Sequence, residues 1–570
     1  MGGLHVADIA VLGLYLLGVA AIGVWSSRRI KGSADFFLPR RFGKLMMVMF
    51  SFGTGTHSDQ AVGVASKSYS SGLSGIWYQW LWLPVTPFYW LIAPIMRRCR
   101  AITTANVFEA RYNRSVGMLF AVVGMANLSV TIGLMLRGSS EVIAASTGGL
   151  LSAEWAIVAM TVIFVFYGIA GGLAAAIVTD FIQGILTIIF SFLLLPLILS
   201  AVGGMSGLRA GLADPGKLSL VAPQEIGLFY IAVIALNGLV GIAVQPHTMA
   251  NCGAGRTEFE GRVGFMFGNL TKRLCTIPWC LTGLAAVVYF ARAGRSVEPD
   301  QVFGTVAGDF LPRIVPGVLG LFIAALLASV MSSCDAFMIA SSALFTENLY
   351  RPVVRDKGPE HFVRVGRMAA VGVVGIGVGF AYWLPGVVAG LEIFWKISAM
   401  MGLAFWLGLF WRRATVAGAW AATLVSFTAW FLTGRFALAG RVLWDFNASV
   451  TPHLPAFMVW EQKLYLPWQM VFYLSAGLMA GVFVSWLTKP VAAEKAERFY
   501  ALLRTPVRAG ERVETACTLP SDAVVPARRN LFGNSNLEVP MPTRTGIVGF
   551  LVGWGCVALI VAAAYVITKM

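Results

Sequence analysis

The chain has 570 residues, of which 58% are hydrophobic and 12% charged, with a formal net charge of +16. Soluble domains carry about 25% charged residues, so this balance excludes a soluble fold and makes lipid the solvent. The excess of cations does not mark a nucleic-acid partner, because Lys and Arg gather in alternate loops, the positive-inside pattern of a multi-pass membrane protein.

In lipid, backbone groups are satisfied only by helices or closed barrels. The apolar runs here are about 20 residues long and lack the short alternation of a barrel. The chain therefore reads as an all-α polytopic membrane protein with about 14 transmembrane helices. They are expected near 7–26, 43–71, 75–97, 116–146, 153–170, 172–201, 226–249, 262–292, 304–349, 364–384, 387–411, 415–435, 465–487 and 546–568. The first run ends in Arg28, Arg29 and Lys31 without a small-residue cleavage site, so it reads as a retained helix, not a signal peptide. The run at 304–349 is longer than a bilayer needs and must tilt, bend or extend into water.

With the amino terminus outside, the inner loops hold most of the cations, including Arg97, Arg98, Arg100, Arg111, Arg351, Arg364, Arg412 and Arg413. Both termini are then expected on the extracytoplasmic side. The segment 488–545 opens with an amphipathic stretch, Glu494 to Leu503, and turns polar. It reads as a solvated linker or as a basic face on anionic headgroups, and is too poor in core residues for an enzyme domain. Seven cysteines form no CxxC pair and read as small buried hydrophobes rather than a disulfide framework or metal site.

The informative residues are polar ones placed in mid-span. The second helix carries Gly53, Thr54, Gly55, Thr56, His57, Ser58, Asp59 and Gln60 in succession. Small residues could serve helix packing, but His57, Asp59 and Gln60 have no place in that reading. A broken helix does accommodate them: its unwound carbonyls hold a cation and its new N-terminus faces solute. The ninth helix carries Ser329, Ser332, Ser333 and Asp335; hydroxyls and carbonyls suit a weakly held monovalent cation, while serine alone also fits local packing. Asp180 and Gln183 in the sixth helix fit a second cation site, a gating contact or a helix-end ion pair. Arg137 and Glu141 are spaced four apart, and either neutralise each other or leave Arg137 to grip a carboxylate. Glu392 and Lys396 show the same spacing and read as a structural pair; Lys67 either snorkels or pairs with an acid.

These stretches resemble the sodium:solute symporter family, whose members move proline, pantothenate, acetate, sugars or sialic acid with Na⁺. Ser33 to Arg40 (SADFFLPR), Gly171 to Gln183 (GGLAAAIVTDFIQ), Ala328 to Ser333 with Ser341, Ser342, Thr346 and Tyr350, and Gln245-Pro246-His247 carry the likeness. The last is closer to the proline, pantothenate, monocarboxylate and sialic-acid branch than to the sugar branch. Four motifs in order, over roughly residues 7–490, are specific where each alone is not.

The resemblance implies a LeuT-type fold of two inverted five-helix repeats, at 43–201 and 226–411. The peripheral parts are then 1–42, the helices of 412–487, the cytoplasmic loop 488–545 and the last helix, 546–570. It implies a main Na⁺ site from the carbonyls of Gly53, Thr56 and Ser329 and the hydroxyls of Ser332 and Ser333. Asp180 and Asp335 form a possible second cation site, although Asp335 and Ala336 stand where hydroxyls are expected. Gly55, His57, Gln60, Gln79 and Arg137 fall on substrate-contact positions. The expected function is Na⁺-coupled symport of a small polar, carboxylate-bearing solute across the plasma membrane by alternating access. A solute sensor on the same scaffold, without net transport, is the alternative. An enzyme is not expected: contiguous His57, Ser58 and Asp59 cannot face one another as a triad, and no HExxH occurs.

Overall fold

The computed structural model describes residues 4–27, 40–222, 225–354, 356–438, 441–508, 510–511, 513, 515–533 and 536–569. The basic stretch after the first helix and most of the Ser33–Arg40 motif lie outside the described residues, as do the side chain of Ser332 and those of 171–176 and 178–179.

Helix α1 spans Val6–Ser27 and packs on later elements; it is followed by α2 (Lys44–Gly55) and α3 (Ser58–Ser71). The expected span 43–71 is thus broken, with Thr56 (φ −124°, ψ 108°) and His57 (φ −133°, ψ 164°) in extended backbone. Glycines at 53 and 55 and β-branched Thr54 and Thr56 lower helix propensity just there, and His57 serves as N-cap of α3. Short turns at Leu73–Ile76 and Trp77–Trp80 lead into α4 (Thr86–Arg98), then α5 (Thr104–Arg111) and α6 (Arg114–Ser146).

The helices expected at 153–170 and 172–201 run together as α7 (Ala153–Val202), with no gap in helical backbone. Gly171-Gly172 lowers propensity without removing a donor, which a proline would do. A straight helix of 50 residues would be about 75 Å long. Its ends are tied to other helices: the Glu154 carbonyl accepts from Tyr382 and the Val202 carbonyl from Arg292.

The second half opens with another interruption. The expected 226–249 helix divides into α8 (Leu228–Ile242) and α9 (Thr248–Gly253), parted at Gln245-Pro246-His247, where Pro246 has no N–H to continue the ladder. Next come α10 (Glu258–Arg292), started by a Thr257–Glu260 capping box, and α11 (Val302–Phe310). The single helix expected over 304–349 is corrected here: Pro312, Pro316 and Gly317 (φ 101°) end α11 and restart the chain as α12 (Val318–Ala343), which continues as a π-helical turn, Leu344–Tyr350. The remaining helices are α13 (Pro359–Trp383), α14 (Val387–Phe410), α15 (Val416–Leu432), α16 (Leu466–Leu487), α17 (Ala493–Arg504) and α18 (Arg544–Lys569). Among the described residues, eight helical segments are long and apolar enough to cross a membrane, and four shorter apolar helices accompany them.

Helix α10 is the spine. Gly264 and Gly268, one turn apart, face the backbone of Met47, Val48 and Phe52 on α2, and Gly283 faces that of Ala65 on α3. A methyl at any of the three would lie 2.4–2.6 Å from its nearest atom, so the small residues let α10 run against both halves of the broken helix.

The 488–545 segment is not a free linker. Arg100, 1% exposed, donates to Glu511 (2.5 Å) and to the Thr505 and Pro506 carbonyls. Glu258 accepts from Arg98 at 2.9 Å and from the Val507 amide at 3.0 Å, and Arg412 pairs with Glu497 and Glu538. These basic residues are spent on protein partners, and the segment straps together the ends of α4, α10 and α14.

Candidate cation seat and central cavity

The break between α2 and α3 frees backbone carbonyls in mid-span, and α12 lies across it. Ser329 Oγ donates to the Thr56 carbonyl at 2.9 Å, and Ser333 Oγ to the Gly53 carbonyl at 3.3 Å. Four oxygens from two elements thus converge, all buried. Hydroxyls can rotate their lone pairs toward an ion that displaces the hydrogen bonds, which a hard monovalent cation requires. Asp180 stands beside this cluster: it accepts from Thr54 Oγ1 at 3.3 Å, and a methyl at Gly53 would be 3.1 Å from its Cβ. Asp335 is 2% exposed, with Oδ1 unpartnered.

A cavity of ≈ 600 Å³, counting its open mouth, adjoins the same break. Gly55, His57, Gln60 and Gln79 all line it. The His57 ring bonds to the Asp59 carboxylate, and Gln60 Nε2 donates to the Gly55 carbonyl at 3.0 Å. Two residues of α10 that the sequence reading passed over enter the same space. Lys272 Nζ donates to the Gly55 carbonyl, and Arg273 Nη1 lies 3.4 Å from Gln79 Oε1. They are 5% and 1% exposed. A charge at the centre of a membrane helix costs about 2.5–3.5 kcal/mol, and that cost was the signal that could have found them.

Arg137 is placed elsewhere. It pairs with Glu141 at 2.9 Å, and Glu141 also accepts from Gln301 at 3.1 Å. Both line a separate vestibule with Lys67, Asp300 and Glu392, away from the residues of the central cavity. Lys67 pairs with Glu225 at 2.5 Å. The Glu392–Lys396 pairing is corrected: Glu392 accepts from Tyr78 at 3.0 Å, and no ion pair joins it to Lys396 among the described residues.

A sequence profile of the sodium:solute symporter family matches residues 36–426. The chain belongs to this family. Among relatives of this symporter, the sodium/glucose cotransporter of Vibrio parahaemolyticus is 26% identical over 73% of this chain and 83% of its own length. The osmoregulated proline transporter OpuE of Bacillus subtilis is also 26% identical, over 75% and 89%, and so is the sodium/pantothenate symporter of Escherichia coli, over 72% and 87%. Sugar and carboxylate relatives are equally similar, so overall identity does not separate the branches. A Na⁺-coupled sialic acid symporter structure, substrate-bound and outward-open, superposes with TM-score 0.69 at 20% identity, over 85% of this chain and 98% of that one. The structure of Mhp1, a nucleobase-cation-symport-1 transporter, gives 0.50 at 12% identity, over 82% and 99%. The fold is therefore the LeuT type, with broken helices α2/α3 and α8/α9 in corresponding places of its two halves. This multi-pass membrane protein is a symporter with Na⁺ as its coupling ion.

Proposed function

We propose that this symporter carries a small carboxylate-bearing solute with Na⁺, across the plasma membrane, by alternating access. One observation supports the anionic solute above the rest: Lys272 and Arg273 are buried in the central cavity, where Asp59 is the one carboxylate among the described lining residues. Two cations out of water need anionic company, and Asp59 already serves His57. A solute carboxylate at Arg273 supplies it with a bidentate partner.

Na⁺ binds first, in this reading, between the carbonyls of Gly53 and Thr56 and the hydroxyls of Ser329 and Ser333, with the Ser332 hydroxyl and the Ser329 carbonyl completing the site. That contact fixes α2 and α3 against α12. Gly55, His57 and Gln60 are then held in the cavity wall, so ion and solute each raise the other's affinity. Asp180 and Asp335 supply negative charge beside the seat for a second cation. Gln79 positions Arg273, while Arg137 acts at the vestibule with Glu141 instead of anchoring solute. Both termini face the extracytoplasmic side.

The test is uptake into proteoliposomes under an inward Na⁺ gradient, with a carboxylate and its neutral amide compared. Arg273→Gln should abolish carboxylate uptake while leaving folding intact. Amide uptake equal to that of the acid would overturn the anionic reading. Binding without any solute-stimulated ²²Na⁺ flux would favour the sensor alternative.

A further inference from the structure

The wall of the central cavity holds polar atoms of both kinds that find no partner within the protein. Gln245 Nε2, Arg273 Nε and Trp395 Nε1 are unpartnered donors. Asp59 Oδ2, Gln60 Oε1 and Asn251 Oδ1 are unpartnered acceptors. All six residues are at least nine-tenths buried, and all line the same space. An orphaned buried polar group costs about 1–3 kcal/mol, so a wall with six of them is shaped for what fills it.

The two kinds of orphan ask for different groups on the solute. Donors beside Lys272 are complementary to a carboxylate. Acceptors on α3 and α9 are complementary to O–H or N–H. A plain fatty acid would satisfy the first set and leave the second unpaired; a neutral polyol would do the reverse. The charges narrow the class further. Among the described lining residues Asp59 is the one carboxylate facing Lys272 and Arg273, so with both bases protonated one positive charge is in excess. A monocarboxylate balances it. If the donor on the solute were an ammonium, the complex would keep the excess, and burying uncompensated charge is costly.

Resting on the carboxylate reading above, we infer that the solute is a hydroxylated monocarboxylate: one carboxylate for the Lys272–Arg273 side and at least one neutral hydroxyl for Asp59, Gln60 and Asn251. Discrimination against the deoxy acid follows from the same orphans, because the analogue leaves buried acceptors unpaired.

The experiment uses the purified full-length protein in nanodiscs, with Na⁺-dependent thermal shifts titrated against matched series. The three-carbon set is lactate, propionate, alanine and lactamide. The four-carbon set is 3-hydroxybutyrate, butyrate, 3-aminobutyrate and 3-hydroxybutyramide. The six-carbon set is gluconate, hexanoate, glucosaminate and gluconamide. In the series that shifts the protein most, the hydroxy acid should half-saturate at least tenfold below its deoxy and amino counterparts. Asp59→Asn, and separately Asn251→Ala, should bring hydroxy and deoxy acids within threefold of each other. A deoxy or amino acid that binds as tightly as the hydroxy acid overturns this inference and leaves the carboxylate reading standing. A neutral amide that binds as tightly as the hydroxy acid overturns both.

Discussion

Removal of the two α12 hydroxyls is the sharpest perturbation of the cation seat. Ser329 and Ser333 reach the Thr56 and Gly53 carbonyls at 2.9 and 3.3 Å, so Ser329→Ala with Ser333→Ala deletes two of four converging oxygens and moves no backbone. A hydrogen-bond-type contact to a charged group contributes about 1.5–3 kcal/mol. At the lower end each hydroxyl accounts for about tenfold in affinity, since 1.4 kcal/mol is a factor of ten. Both oxygens serve one ion and their losses are coupled, so the double variant should raise half-saturating Na⁺ by about 10- to 100-fold. The substitutions also leave two carbonyls without donors, which lowers ion-free stability by about 1–3 kcal/mol per group. The readout is therefore the Na⁺-induced rise in Tm above each variant's own ion-free baseline, together with the Na⁺ dependence of uptake. A double variant that is expressed normally and half-saturates within twofold of the unaltered protein would remove these serines from the ion site.

Arg137→Gln breaks a partly exposed pair with Glu141, so uptake should persist with KM changed less than threefold and Tm slightly lower; abolished uptake with Tm intact would make Arg137 the solute anchor after all. Gly138→Ala sets a methyl 2.5 Å from the Asp59 Cα, backbone that cannot step aside; transport should fall at least tenfold and stability by about 1–3 kcal/mol, and normal transport would refute the close α6–α3 contact. At the strap, burial alone would raise the Glu511 carboxyl, but Arg100 and the Arg508 amide hold it below the ordinary carboxylate range. A lowered folded value means the stabilisation is present above about pH 4.3 and fades as pH falls further. Proteolysis within 505–540 should thus accelerate below about pH 4, and Glu511→Gln should show the same acceleration at pH 7; a strap equally resistant in both would show that the Arg100 pair does not hold it.

Much of this molecule follows from chemistry that is local in sequence. Apolar runs of bilayer length dictate helices because lipid offers backbone groups no other partner. The break at Thr56–His57 was legible for the same kind of reason: glycines flanked by His57, Asp59 and Gln60 make no sense in an unbroken lipid-facing helix. The stops at Pro246 and at Pro312–Gly317 were equally present in the sequence, but they lay inside runs apolar enough to hide them. Which residues meet across the molecule was a different matter. Arg137 and Lys272 are both cations in mid-helix. Only packing put one beside Glu141 and the other on the Gly55 carbonyl, because a helix turned by a few tens of degrees exchanges cavity for neighbour. The same holds for Glu392, taken by Tyr78 rather than by Lys396 one turn away, and for the inner-end cations Arg98, Arg100 and Arg412, which packing brought to Glu258, Glu511 and Glu538. Spacing along one helix fixes which side chains could touch. Burial among the other helices decided which ones did, because each buried charge takes whichever partner the packing brings within reach.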